Sequence, residues 1–183
     1  MLLKDYIPSV SKSQSKIFIS GISFDSTKVK KNNIFFAIKG NKFDGNNYIG
    51  EAIKKGARVI VSEKKFNLKN TKVIFLYTSN TRKLLSQVSY KILKQKPKKI
   101  VAITGTNGKS SIADFYYQIL NLNSKKVASI GTIGIKHKDK KKSLINTTSD
   151  PIQLSFILEH LIKKRIEYVI MEASSHGLKQ NRL

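Results

Sequence analysis

Four short apolar runs, at residues 16–20, 34–38, 58–62 and 73–77, are each bounded by Gly, Asn, Lys or Ser. Runs of that length and flanking predict buried strands. Between the second and third the rhythm changes. Over residues 48–56, Ile49, Ala52 and Ile53 fall on one helical face and Gly56 supplies a stop. A second helix is predicted over 81–93, with Leu84, Leu85, Val88 and Ile92 as its apolar positions and Ser79 or Asn80 as its cap. Residues 1–95 therefore read as a small α/β domain.

The pattern breaks at residues 94–99, which are charged, carry Pro97 and lack apolar side chains, as a linker should. A fully apolar strand follows at 100–103, then a Gly-containing loop at 104–110. The next helix has Ile112, Phe115, Tyr116, Ile119 and Leu120 as its apolar positions. A strand at 126–130, a Gly- and Lys-rich excursion at 131–143, and a helix over 150–164 come next. Asp150 is a good cap for that helix and Pro151 a good first-turn residue. A last strand covers 168–171, and from Ser174 onward the chain reads as a loop. Strand, helix, strand, helix, strand predicts a parallel, doubly wound sheet. Residues 98–183 supply only about three strands, whereas nucleotide-binding sheets usually have five or more. This second domain is expected to be incomplete and the chain to be part of a longer protein.

Composition narrows the class. A chain of 183 residues that is 40% hydrophobic and 25% charged fits a soluble globular protein. The absence of Cys excludes a disulfide scaffold and any Cys-based metal or redox site. No apolar stretch approaches the roughly 20 residues of a membrane span, and the first sixteen residues hold no signal-like apolar core. A cytoplasmic protein is expected. The net charge of +24 is the one extreme, and an excess of that size suggests a polyanionic partner. Yet of 35 basic residues only Arg58, Arg82, Arg165 and Arg182 are Arg. The Lys residues are spread along the chain apart from runs at 96–99 and 136–142, and no aromatic residues interleave with them. The surface therefore reads as solvated Lys, without a base-stacking platform, and no nucleic-acid partner is expected. A basic, non-catalytic binding module stays open as the competing class. His137 and His160 read as surface residues, and His176 as a structural hydrogen-bonding residue.

The loop Thr104-Gly-Thr-Asn-Gly-Lys-Ser110 lies between an apolar strand and an amphipathic helix, the setting a phosphate-binding loop requires. Gly105 and Gly108 let the backbone turn its N–H groups toward phosphate oxygens, at the positive end of the helix dipole. Lys109 is placed to reach the β- and γ-phosphates, and the hydroxyl of Ser110 or Ser111 to ligate Mg²⁺. The strict pattern begins with Gly where this chain has Ile103. ATP is the expected nucleotide.

This form of loop is shared by the Mur ligases and the folylpolyglutamate synthases. Three further stretches resemble the first family, in its UDP-N-acetylmuramoyl-tripeptide synthetase branch. Residues 24–40, followed by Phe43-Asp-Gly45 and Tyr48, are similar to that branch's N-terminal domain, which the folylpolyglutamate synthases lack. Asn146-Thr-Thr148 before Asp150-Pro151 is similar to its Thr-Thr substrate segment. Residues 172–182 resemble its E-x-S-S-H-G-L-x-Q-x-R motif. The motifs stand in family order and cover nearly the whole chain.

The resemblance implies a ligase that joins a diamino acid, meso-diaminopimelate more often than L-lysine, to UDP-MurNAc-L-Ala-D-Glu. ATP is hydrolysed to ADP and phosphate through an acyl-phosphate intermediate. Charge neutralisation on the triphosphate and in-line positioning are the physical demands. Carried over residue by residue, Phe24, Ser26, Asn41, Lys42 and Phe43 would contact the uridine end. Gly105, Thr106, Asn107, Gly108, Lys109, Ser110 and Ser111 would hold ATP. Asn146, Thr147, Thr148, Ser174, Gln180 and Arg182 would contact the muramoyl-peptide part. Lys109 and Glu172 would be the catalytic pair, and Ser110 and Glu172 the Mg²⁺ ligands.

Blander readings stay open. Ser26 also fits a turn, residues 146–148 a polar loop that caps the next helix, and Glu172 a surface carboxylate. Thr27 stands where the family has Arg, Asn32-Asn33 where it has Gly-Asp, and the loop ends Lys-Ser-Ser instead of Lys-Thr-Thr. The family's remaining central-domain residues and its C-terminal domain, which binds the incoming amino acid, find no counterpart in the sequence. The chain is expected to be a monomer and inactive as a ligase by itself.

Overall fold

In the computed structural model, residues 1–41, 43–66, 72–138, 140–142 and 149–182 are described, the side chains of 140–142 excepted. The chain divides into two compact units, Met1–Ile92 and Leu93–Leu183.

The first unit is built on a four-stranded sheet of β1 (Gly21–Ser23), β2 (Asn33–Phe36), β3 (Ala57–Ser62) and β4 (Ile74–Tyr77), all parallel and in that order. Every residue of β2 and all but one of β3 are buried. Strands covered on both faces need continuous apolar runs, which explains why these two were plain in the sequence. Helix α3 (Ile49–Lys54) packs Ile49 and Ala52 with Phe35 and Ile60. Helix α4 (Thr81–Lys91) is capped by Asn80, whose side chain accepts from the Lys83 N–H at 2.8 Å.

The run at 16–20 is not a sheet strand. Two short helices, α1 (Leu3–Tyr6) and α2 (Lys12–Ser15), fold the N-terminus back, so that Leu3 N–H donates to Ile17 and Ile19 N–H to Met1. Those bonds satisfy the run locally, and sheet pairing starts only at Gly21.

The second unit has a five-stranded sheet in the order β5 (Lys99–Ile103), β9 (Tyr168–Glu172), β6 (Val127–Gly131), β7 (Gly134–His137), β8 (Lys140–Lys142). The three strands expected are the parallel ones. The excursion at 131–143 corrects the count, because it forms the antiparallel hairpin β7–β8 on the sheet's flank. Helix α5 (Lys109–Leu122) packs Ala113 and Tyr117 on Val127 and Ile170. Helix α6 (Pro151–Lys163) packs Leu154, Leu158 and Leu161 on Ala128, Ile130, Val169 and Met171. Successive strand residues point to opposite faces, so the two helices cover the two sides of the sheet. Asp150 caps α6 as expected, accepting from Gln153 N–H at 2.9 Å.

The apolar face of α5 differs from expectation. Ile112, Phe115 and Ile119 are 55%, 63% and 55% exposed, while Ala113 and Tyr117 are buried. The helix is rotated so that Ser110, and with it the positions three, four and seven residues on, face the sheet. Downstream of β9, the expected loop contains a short helix, α7 (Ser175–Lys179), capped by the Ser174 hydroxyl at 3.0 Å from the Gly177 N. His160 is exposed, but His137, expected at the surface, is half-buried.

The rotation of α5 is directly checkable. Tyr117→Ala should cost about 3–5 kcal/mol in urea denaturation, while Phe115→Ala should change stability by no more than about 0.5 kcal/mol.

Candidate functional site

The loop between β5 and α5 is shaped by its glycines. Gly105 has φ +153° and Gly108, which opens α5, has φ +77° in the left-handed region. Gly108 brings no capping side chain, and the first intrahelical bond runs from Ile112 N to Gly108 O at 2.9 Å. The first-turn N–H groups therefore point out of the helix end, as an anion site requires. Lys109 curls over the loop, donating from Nζ to the carbonyls of Gly105 at 2.7 Å and Thr106 at 3.1 Å.

Across from the loop, Glu172 ends β9 with only 3% of its surface exposed. That excludes the surface-carboxylate reading. Its Oε2 accepts from Ser110 Oγ at 2.9 Å and from Thr132 Oγ1 at 3.0 Å, and its Oε1 from the Thr132 N–H at 3.0 Å. Gly131 makes room for it, since a Cβ there would collide with the Glu172 carboxyl. The cavity they border, of about 360 Å³, is lined by residues 106–111, Thr132, Glu172 and Ser174. The fold thus brings together most of the predicted nucleotide and metal residues with Ser174. A hard cation fits the donor set, a carboxylate beside a hydroxyl. Among the described residues no cluster of three His, Cys, Asp or Glu could hold a metal, so phosphate and water oxygens would complete the shell, as Mg²⁺ prefers.

Gly131 and Thr132 were not singled out from the sequence. The available signal was a Gly-Thr pair closing a parallel strand, where crevices in open α/β sheets form. Gln180 and Arg182 lie at the other end of α7. Arg182 Nε donates to Gln180 Oε1 at 2.9 Å, and Gln180 Nε2 lies 2.7 Å from His176 Nε2. Asn146, Thr147, Thr148 and Lys42 lie outside the described residues.

The remaining predicted residues stand in the first unit. Phe24 is 38% exposed and Phe43 69%, and Asn41 is exposed. Ser26 is buried in a turn capped by Asp25, and its hydroxyl donates to Glu51 Oε2 at 2.8 Å, so it has at least a structural role. On either side of residue 42 the backbone is tied together, Gly40 N donating to Phe43 O at 2.8 Å and Gly45 N to Ile38 O at 2.9 Å. A Cβ on Gly45 would stand 2.7 Å from the Ile38 backbone. Arg82 Nη2 ties this backbone to α4 through the Lys39 carbonyl at 3.0 Å. Asp44 anchors its end. The backbone and then the side-chain N–H groups of Asn46, with a smaller contribution from Lys64, hold its carboxyl below the usual 3.8.

A phosphate-loop α/β unit with a buried carboxylate facing the loop, preceded by a small parallel α/β unit, defines the class of protein. Residues 18–102 match the description "Mur ligase family, catalytic domain" and residues 103–183 "Mur ligase middle domain". The chain belongs to the Mur ligase family. Among curated relatives, it is similar to proteins named UDP-N-acetylmuramoyl-L-alanyl-D-glutamate--2,6-diaminopimelate ligase. The one from Fusobacterium nucleatum is 40% identical over 163 residues, 89% of this chain and 33% of the relative. Those from Wigglesworthia glossinidia brevipalpis and Rickettsia conorii are 38% and 42% identical, over 100% and 90% of this chain and 38% and 35% of theirs. A solved structure of the same name superposes with a TM-score of 0.84 at 27% identity, over all of this chain and 38% of its own. The MurF ligase from Thermotoga maritima shares the fold, with a TM-score of 0.54 at 20% identity over 84% of this chain and 32% of its own. The chain thus spans about a third of the length of these relatives.

Two outcomes follow from the geometry. Gly131→Ala should destabilise by about 1–3 kcal/mol through overpacking, and on an E172A background most of that cost should vanish, as a double-mutant cycle in urea would read. Asp44 has a depressed folded pKa, so its stabilisation is present above the unfolded value near 3.8 and lost as pH falls through the lower folded value. Asp44→Asn should flatten that acid limb in a circular-dichroism titration.

Proposed function

We propose that this chain is the UDP-substrate-binding and ATP-binding part of a ligase that adds meso-diaminopimelate to UDP-MurNAc-L-Ala-D-Glu in the cytoplasm. The contact that carries the reading is Ser110 to Glu172 across the phosphate-loop cavity, because it sets a hydroxyl and a carboxylate side by side where the γ-phosphate of a loop-bound ATP would lie. The names of relatives 38–42% identical to it supply the substrates.

In this reading, residues 1–95 hold the uridine end through Phe24, Ser26, Asn41, Lys42 and Phe43. Exposed Phe43 and Phe24 offer ring faces for a base, while Lys42 offers charge for the diphosphate. Residues 98–183 hold ATP along Gly105–Ser111. The loop N–H groups and Lys109 take the β- and γ-phosphates, exchanging the carbonyl contacts of Lys109 for phosphate oxygens. Ser110 and Glu172 would hold Mg²⁺, which neutralises phosphate charge when bound. Asn146, Thr147, Thr148, Ser174, Gln180 and Arg182 orient the muramoyl peptide. The D-Glu carboxylate then attacks the γ-phosphorus and ADP leaves. The diaminopimelate amine adds to the acyl phosphate, losing a proton, and phosphate leaves as the amide forms.

Thermal melts test this. UDP-MurNAc-L-Ala-D-Glu and Mg²⁺-ATP, each at about 100 times Kd, should each stabilise the unit that binds it by roughly 2.7 kcal/mol. Lys109→Ala should abolish the ATP shift and leave the UDP-substrate shift in place. A cooperative melt that neither ligand moves would overturn the assignment.

A further inference from the structure

A second, smaller cavity of about 100 Å³ borders Glu172, lined by Ser110, Asp114, Ser129, Gly131 and Lys136 among others. It shares Ser110 and Glu172 with the phosphate-loop cavity. Asp114 stands one helical turn beyond Ser110 on the same face of α5, so a second carboxylate lines this cavity with Glu172. Its charge is matched. Lys136 Nζ, from β7, donates to Asp114 Oδ1 at 2.8 Å, and Gln118 Nε2 to Oδ2 at 2.5 Å. The pair is largely sheltered, with side-chain exposures of 21% for Lys136 and 32% for Asp114. The same ammonium sits 4.6 Å from the centroid of the buried Tyr117 ring, whose face favours a cation.

The proposed catalytic residues leave this pair unused, and its position gives it an electrostatic role. We propose that Asp114 and Lys136 are positioning residues that set the net charge of the cation site. Lys136 offsets the charge of Asp114, so Glu172 is the carboxylate that a divalent cation meets beside Ser110. An unmatched Asp114 would offer a rival carboxylate and draw the cation toward the smaller cavity. An unmatched Lys136 would compete with the cation for Glu172. The inference rests on the reading of Ser110 and Glu172 as metal ligands.

The test uses the 183-residue chain and two probes of opposite charge, Mn²⁺ alone read by electron paramagnetic resonance and ATP in EDTA read by calorimetry. Lys136→Met should tighten Mn²⁺ binding by roughly threefold to tenfold and weaken that of metal-free ATP, and Asp114→Asn should do the reverse. The D114N/K136M double variant should return both within about twofold of the parent, and K136R should leave both unchanged. Lys136→Gln replaces Lys136→Met if the latter does not melt cooperatively. A purely structural pair would weaken binding in both single variants, and that result, or no change in either, overturns the proposal. Where Mn²⁺ binds only with ATP present, the Mn²⁺ comparison is made at saturating ATP, and failure of the parent chain to bind Mn²⁺ under either condition overturns the metal-site reading itself, before any variant is compared.

Discussion

A carboxylate taken out of water must be surrounded by donors, and Glu172 meets that requirement by drawing three elements to one point. Ser110 comes from the start of α5, Thr132 from the turn after β6, and Glu172 from the end of β9. The strand order follows suit, with β9 between β5 and β6, so the carboxylate emerges between the phosphate loop and the β6–β7 turn. The rotation of α5 is the same constraint seen from the helix. With Ser110 turned to the carboxylate, Ala113 and Tyr117 must face the sheet, whatever the hydrophobicity of Ile112 and Phe115.

The two units solve different problems with related architecture. In the first, a parallel sheet with two buried central strands supports the backbone on either side of residue 42, whose geometry rests on glycine backbones, Asp44 and the Arg82 tether. It presents exposed aromatic and polar side chains on a fixed frame. In the second, the recognition surface is mainly backbone: a helix end without a side-chain cap, with Lys109 folded over the loop's own carbonyls. The first arrangement suits a large ligand with a distinctive ring, the second a polyanion that is alike in every nucleoside triphosphate.

Legibility in the sequence tracked how local the determining physics was. Strands β2 and β3 announced themselves because burial on two faces demands unbroken apolar runs, and α6 because Asp150 and Pro151 encode its start within a few residues. The phosphate loop was equally local. Residues 16–20 misled, since their partners at Met1 and Leu3 lie a helix-pair away. The hairpin β7–β8 was hidden because its Lys-rich strands lack apolar alternation. Glu172 could be singled out through the motif that follows it. Its support could not, because the need for glycine at position 131 and for the hydroxyl and N–H of Thr132 arises only when β6 and β9 lie side by side.

The strand that carries the phosphate loop, β5, pairs with β9 on one side only within the described sheet. Three of its five residues are half-buried and the other two exposed. Stability is distributed unevenly in such a layout. Within that sheet the N–H groups of β5 that point away from β9 lie outside the ladder, within reach of fraying of one strand, while β9 is paired on both sides, by β5 and β6. The loop is thus rooted in an edge strand of the described sheet, and Glu172 in an interior one.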